Sequence, residues 1–241
     1  MNGGFLWRRL LCLALGCLGS NVQVWLGAVG KLDDLERFAN MDPKPFVLIE
    51  ASGDKIKNRG QGVVLSEDGL VISVGHASWL EEERAYSNRF RISFRGKKNG
   101  LPEGEVHRHT TRFSDREGTS FLETYYQAEQ IRFEGSRFLD GADLGVFKIR
   151  GKGRFPRIEF FSQSQPDMEI GETLYLCHYN FPHKPADPFF LINPIEVVGV
   201  AQTSSGMQYL AKGYYRVGSS GGAILKNGKL IGIQSSAYTC L

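Results

Sequence analysis

Short apolar runs separated by glycine-rich turns fill this chain from residue 46 onward and restrict it to β architectures. Glycine supplies 29 of the 241 residues, and most runs between the glycines are too short for an amphipathic helix. Asp68-Gly69 and Asn227-Gly228 each separate two such runs, as tight β-hairpin turns do. The pattern predicts a turn-rich all-β protein in which residues 31–40 form at most a short helix.

The predicted strands form two groups, which a glycine-containing linker at residues 151–153 separates. The polar stretches 81–87 and 96–118 are predicted to be loops. Antiparallel sets of this kind commonly close into barrels, because closure removes exposed strand edges. The first group comprises residues 46–51, 62–65, 70–74, 89–94, 126–133 and 144–149, and the second group comprises residues 173–178, 196–203, 207–211, 223–225 and 229–235.

Composition and charge exclude several classes of protein. A net charge of +3 is too small and too scattered to predict nucleic-acid binding, and an apolar share of 41% is too high for a disordered chain. His107 and His109 are spaced as metal ligands can be, but in this polar stretch we interpret them as part of a solvated loop. We therefore predict no metal site.

The first thirty residues have the pattern of a signal peptide or an N-terminal anchor. Arg8-Arg9 precede an uncharged stretch at 10–30, whose densest part, 10–18, has the length of a signal-peptide core and is too short to span a bilayer. Three alternatives stay open: cleavage, lipidation at Cys17 in the sequence ALGC, or retention of the whole stretch as an anchor. Each predicts a periplasmic or secreted protein that contacts the membrane only through this segment, if it is retained or lipidated.

The string GSSGG at 218–222 is the most informative candidate for chemistry. Flanking glycines let the backbone bend sharply, expose the Ser220 hydroxyl, and free amide groups to point at a developing oxyanion. The string also fits the nucleophile elbow of α/β-hydrolases, in which the acid and the histidine follow the serine. Residues 223–241 contain no Asp, Glu or His, so a triad built on Ser220 must take its partners from upstream.

His76 and Asp143 are the best upstream partners. His76 follows the predicted strand 70–74, and Asp143 directly precedes the predicted strand 144–149. The order His76, Asp143, Ser220 is the chain order of chymotrypsin-type triads. In that mechanism His76 is the base, Asp143 orients it, the amides of Gly218 and Ser220 form the oxyanion hole, and no cofactor is needed.

At these residues the sequence resembles the trypsin-like serine peptidases, and most closely their bacterial Deg (high-temperature-requirement) branch. The resemblance covers residues 46–236 and is specific in three short blocks. Weaker similarity lies at residues 171–175 and 198–200. The specific blocks are GQGVVLSEDGL at 60–70 before His76, DLGVFKI at 143–149, and SGGAIL at 220–225 with the strand at 228–236 that follows it.

The resemblance implies two antiparallel six-stranded β-barrels with the site in the cleft between them. Residues 31–241 would form one peptidase domain, with the first barrel at about 44–150 and the second at about 154–241. Because the chain stops at Leu241, the second barrel is expected to lack a strand, and no PDZ domain is expected. The implied function is a serine endopeptidase that hydrolyses exported polypeptides.

Specificity and crosslinking are predicted in the second barrel. The resemblance implies a substrate pocket lined by Tyr214 and by Gln234, Ser235 and Ser236. Residues 203–241 contain no acidic side chain, so we predict cleavage after small or medium uncharged residues. Cys177 and Cys240 are predicted to form a disulfide if the chain is exported.

Two alternatives to an active peptidase remain. The chain could be a catalytically weak pseudo-peptidase that binds peptides or proteins in the same groove. It could instead be a secreted β adhesion or scaffold domain, in which GSSGG is only a turn. This last alternative predicts that His76, Asp143 and Ser220 lie far apart.

Overall fold

The computed structural model describes residues 22–24, 44–54, 57–95, 100–113, 116–134, 143–161, 168–180, 189–203, 206–215 and 218–235. The predicted helix at 31–40 lies outside these ranges. Within them, no helix is long and apolar enough to cross a membrane. In chain order the elements are β1 (Val22–Val24), β2 (Phe46–Ser52), β3 (Lys57–Val64), β4 (Leu70–Ser73), the 3-10 turn η1 (Gly75–Ser78), β5 (Trp79–Leu80), β6 (Ala85–Tyr86), β7 (Arg89–Arg95), β8 (Glu105–Phe113), β9 (Arg116–Glu134), β10 (Leu144–Ile149), β11 (Thr173–Asn180), β12 (Phe189–Thr203), β13 (Gly206–Gly213), β14 (Ala223–Lys226) and β15 (Lys229–Ile233).

The first barrel is a closed antiparallel ring of six strands. Its order is β10-β4-β3-β2-β7-β9, and β10 closes the ring because it pairs with both β4 and β9. The ring confirms the predicted first barrel. It also fixes the end of β4 and the start of β10 side by side, since Gly145 pairs with Ser73.

The prediction of loops at 81–87 and 96–118 is wrong in part. Residues 85–86 form β6, which pairs with β5, and residues 105–113 form β8, which pairs with β9 outside the closed ring. A strand in this position needs backbone pairing but few buried side chains, so its sequence stays polar. His107 and His109 therefore lie on a strand and not in a loop. Among the described residues, no group of three or more His, Cys, Asp or Glu side chains could hold a metal ion.

The second sheet contains the remaining long strands. Its order is β1-β12-β11-β14-β15, and β13 pairs with β12. All its pairs are antiparallel except that of β1 with β12. Within the described ranges, β15 and β13 do not pair, so the sheet is open there. The fold is thus all-β, as predicted, with a closed first barrel and a second antiparallel sheet.

The two sheets share an apolar interface, which β2 and β3 form with the strands of the second sheet. Val47 and Ile49 point into the first barrel, whereas Phe46 and Val63 pack against second-sheet residues such as Tyr179. Burial of β2 on both faces explains its nearly continuous apolar sequence. Each large side chain buried in this way contributes about 1.5–3 kcal/mol, so the interface holds the two halves in fixed positions.

Candidate active site

His76 lies in η1, directly after β4, and contacts from two directions fix it there. Its backbone N–H donates to Oδ1 of Asp143 at 2.8 Å. Its ring Nδ1 lies 2.6 Å from Oδ2 of the same carboxylate. The turn is also held from β3, because Asn58 Nδ2 donates to the carbonyls of Ala77 and Trp79 at 3.3 and 2.9 Å.

Asp143 immediately precedes β10 and is the more buried member of the pair. Its side chain is 13% exposed, against 41% for His76. Burial opposes ionisation of Asp143, but hydrogen bonds from His76 and Ser235 outweigh it and hold the carboxyl pKa below its usual value. The carboxylate can only accept, so Nδ1 of His76 donates to it. Nε2 of His76 is then left to accept a proton.

Ser220 lies in a tight turn before β14, and backbone hydrogen bonds hold this turn on both sides. The Gly222 N–H donates to the Ser219 carbonyl at 2.8 Å. The Gly221 N–H donates to the Gln234 carbonyl, and the Gln234 N–H donates to the Gly222 carbonyl, both at 2.8 Å. Gly221 has a φ of 84°, which glycine adopts readily and other residues do not. The turn is therefore fastened to the end of β15.

Ser235 connects the three predicted catalytic residues. Its hydroxyl donates to Oδ2 of Asp143 at 2.5 Å, and its carbonyl accepts a hydrogen bond from the Ser220 hydroxyl at 3.3 Å. The structure thus brings Ser220 into one hydrogen-bonded group with Asp143 and His76. Among the described contacts there is no hydrogen bond between Ser220 and His76. Catalytic hydrogen bonds are often loose without substrate.

The two predicted oxyanion-hole residues lie in the same turn. Neither the N–H of Gly218 nor that of Ser220 donates to an acceptor among the described residues. Their carbonyls face the first barrel, where the carbonyl of Gly218 accepts a hydrogen bond from the side chain of Gln61 and that of Ser220 accepts one from the Gln61 N–H at 3.2 Å. Among the described residues, the two carbonyls are therefore bound on one side, and the two amides are not.

Three of the four predicted pocket residues lie within the described residues, and each has different contacts. Gln234 lies beside the turn that carries Ser220, since its backbone bonds to Gly221 and Gly222. The hydroxyl of Ser235 binds Asp143, and the assignment of Gln234 and Ser235 to a substrate pocket stays a prediction. Tyr214 is half exposed, and its carbonyl accepts a hydrogen bond from Asn193 Nδ2 at 3.5 Å. Ser236 lies outside the described residues.

Cys177 is buried on β11, and it has no disulfide partner among the described residues. Burial raises the pKa of this thiol above its usual value. Its predicted partner, Cys240, lies outside the described residues, so the disulfide stays a prediction.

Sequence reasoning missed two functional candidates, the Ser235 hydroxyl and the side chain of Gln61. Ser235 was placed at the site, but nothing in its neighbourhood indicated that it would face Asp143. Gln61 did carry a signal, because it is a long polar residue between two glycines at the start of an apolar run. Its reach across to Tyr179 and Gly218 depends on the packing of two distant segments, which spacing along the chain does not reveal.

A closed six-stranded barrel and a second, mostly antiparallel sheet, with a His–Asp pair beside a serine turn, give this chain a chymotrypsin-like fold. The crystal structure of Deg5 is similar to this chain, with a TM-score of 0.55 and 16% sequence identity over 86% of this chain and 87% of that chain. At this identity the similarity shows the fold alone. No protein-family model matches the sequence, and no curated protein matches it.

Proposed function

We propose that this chain is a serine endopeptidase with His76 as base, Asp143 as orienting acid and Ser220 as nucleophile. One observation carries the proposal: the His76–Asp143 pair on the first barrel is linked through Ser235 to the Ser220 turn of the second sheet. An adhesion domain in which GSSGG is only a turn has no reason to bring these groups together. The chymotrypsin-like fold further supports the proposal.

The proposed reaction begins with attack of the Ser220 Oγ on a peptide carbonyl carbon. The hydroxyl proton passes to Nε2 of His76, while Asp143 stabilises the resulting imidazolium. The N–H groups of Gly218 and Ser220 donate to the oxyanion, each contributing about 3 kcal/mol. When the C–N bond breaks, His76 returns the proton to the leaving amine. Water then hydrolyses the acyl-enzyme by the same route in reverse.

Labelling with a serine-reactive phosphonate and hydrolysis of an unfolded protein substrate test the proposal. We expect the wild-type chain to be labelled at Ser220, and Ser220→Ala to lose hydrolysis by a factor of about 10⁴–10⁶. Ser66→Ala, at the turn between β3 and β4, is the matched control and should retain activity. If wild type and Ser220→Ala are equally inert in both assays, the proposed catalysis is wrong, and the alternative of a peptide-binding module is then preferred.

The proposal also includes export, so that the substrates are polypeptides outside the cytoplasm. Arg8-Arg9 and the apolar stretch that follows them support this part, because they have the charge and length pattern of a signal peptide. Cleavage, lipidation at Cys17 and retention as an anchor all agree with export.

A further inference from the structure

The turn at residues 218–222, here called the nucleophile turn, is held on one side by Gln234 and on the other side by Gln61 of the first barrel. Gln61 lies on β3, two residues before Val63 and on the same face, and it is only 2% exposed. Its Oε1 accepts a hydrogen bond from the Tyr179 N–H at 2.6 Å, and its Nε2 donates to the Tyr179 carbonyl at 2.7 Å. The second N–H of Nε2 donates to the carbonyl of Gly218. The amide thus has both donors and its acceptor engaged across the interface.

The backbone of Gln61 holds the same turn. Its N–H donates to the Ser220 carbonyl at 3.2 Å, and its own carbonyl accepts a hydrogen bond from the Ser73 hydroxyl. Gly221 packs so closely on that carbonyl that a Cβ at 221 would lie 1.9 Å from the oxygen. Carbonyls on both sides of residue 219 are therefore bound by one residue of the other barrel.

We infer that Gln61 is a positioning residue that holds the Gly218–Ser220 backbone in the shape of an oxyanion hole; this role rests on the proposed function. Each peptide plane is rigid, so binding the carbonyls of Gly218 and Ser220 fixes the planes 218–219 and 220–221. The plane between these two carries the Ser220 N–H, and the Gly218 N–H is attached to the Cα at which the first fixed plane begins, so the torsions that orient both groups are restricted. A shorter side chain at 61 would not span from β3 to Gly218. It would also remove the buried donor that the carbonyl of Gly218 receives from Gln61, which is costly.

Gln61→Met tests this role, because it keeps the length of the side chain and removes its hydrogen bonds. We expect kcat to fall by about 10- to 100-fold with KM nearly unchanged, since an interaction that orients the oxyanion hole acts mainly in the transition state. Val63→Ala is the matched control, because it loses packing at the same interface, and none of the described hydrogen bonds of the nucleophile turn involves Val63. Well below its Tm, its kcat should stay within about threefold of wild type.

Amide hydrogen exchange supplies a readout that does not need hydrolysis. In Gln61→Met, exchange in a peptide covering residues 218–222 should rise at least about tenfold, whereas Val63→Ala should leave it near the wild-type rate. If Gln61→Met does not fold, Gln61→Asn, which keeps the amide on a shorter stem, should show the same two effects.

The role of Gln61 is overturned if kcat and exchange in the Gln61 variants match those of Val63→Ala. Wild-type chain that is inert towards both substrate and phosphonate would overturn the proposed function and with it the catalytic effect of Gln61. Raised exchange in that case would still support the contact between Gln61 and the turn, so the two failures are distinguishable.

Discussion

At the scale of single residues, Asp143 links the chemistry of the site to the stability of the fold. It accepts hydrogen bonds from the backbone and ring of His76 and from the hydroxyl of Ser235, and its pKa lies below the usual value. A carboxyl whose pKa is lower in the folded than in the unfolded state stabilises the fold above its unfolded pKa, near 4. That stabilisation is lost as the pH falls through the folded pKa.

We therefore predict that Asp143→Asn lowers the free energy of unfolding at pH 7, and that its difference from wild type shrinks below about pH 4. Chemical denaturation at a series of pH values measures both quantities. Asp54→Asn is the matched control, because Asp54 is 87% exposed in a surface ion pair and should change stability by at most about 1 kcal/mol. A difference for Asp143→Asn that stays constant into strong acid would contradict the prediction.

Sequence reasoning predicted His76 and Asp143 but not the hydroxyl of Ser235 that completes the group. A histidine after a buried strand and an aspartate before another are recognisable by their chemistry and order. The resemblance implies that Ser235 lines the pocket, and strand alternation alone does not say whether its hydroxyl also faces the first barrel. The direction of the Ser235 hydroxyl depends on how the residues after β15 pair with the nucleophile turn. In the structure this hydroxyl points to Asp143 and donates a hydrogen bond to it.

At the scale of elements, the nucleophile turn depends on a glycine at 221. An alanine there would have to adopt a φ of 84°, which costs about 1–2 kcal/mol, and its methyl group would overlap the Gln61 carbonyl. We predict that Gly221→Ala lowers the free energy of unfolding by more than about 2 kcal/mol, as thermal or chemical denaturation would measure. It should also reduce peptide hydrolysis, because the turn must shift away from Gln61.

Alanine substitutions at two other glycines distinguish the two causes of the stability loss in Gly221→Ala, the positive φ and the overlap with the Gln61 carbonyl. Gly171 also has a positive φ, of 89°, but an added Cβ would meet nothing within 4 Å, so Gly171→Ala should cost only about 1–2 kcal/mol. Gly232 lies on β15 with nothing within 4 Å, and Gly232→Ala should change stability by at most about 0.5 kcal/mol. If Gly221→Ala were no more harmful than Gly171→Ala, the close approach to Gln61 would be unimportant.

The absence of acidic residues from the last part of the chain supports a prediction about cleavage specificity. No acidic side chain occurs at 203–241, so no local carboxylate can pair with a basic substrate residue. We predict cleavage after small or medium uncharged residues, as mass spectrometry of a digested peptide library would measure. Ser220→Ala digests identify background cleavage. Dominant cleavage after Arg or Lys would contradict the prediction.

The polar hairpin of β8 and β9 shows where element prediction failed. Buried strands such as β10 were predicted at the right positions because their apolar residues must face a core. Glu105 and His107 on β8 face solvent and are paired with each other at 2.5 Å, so the hydrophobic pattern that indicates a strand is missing. The pairing of β8 with β9 outside the ring depends on the tertiary structure, which composition does not reveal.

At the scale of the whole molecule, the N-terminal segment connects processing to the second sheet. We predict that the exported chain lacks at least its first sixteen residues, because Arg8-Arg9 and residues 10–18 have the pattern of a processing signal. Since β1 pairs with β12 at Phe190–Ile192, a cut after residue 30 would also remove that strand, whereas a cut before residue 21 would leave it.

Intact mass and N-terminal sequencing of the exported chain measure the cut. Leu13→Arg, which places a charge in the apolar core of the segment, should block export and processing. A lipid mass that disappears in Cys17→Ser would identify lipidation. Exported chain that still begins with Met1 would contradict cleavage and support the anchor.

The candidate active site is complete only when the two sheets have packed against each other. His76 and Asp143 belong to the first barrel, whereas Ser220 belongs to the second sheet and is held against Gln61 across the interface. A chain in which only the first half has folded carries a proton acceptor without its nucleophile. The proposed hydrolysis would therefore begin only after the two halves have docked, and this order would protect a newly made chain and its unfolded neighbours from premature digestion.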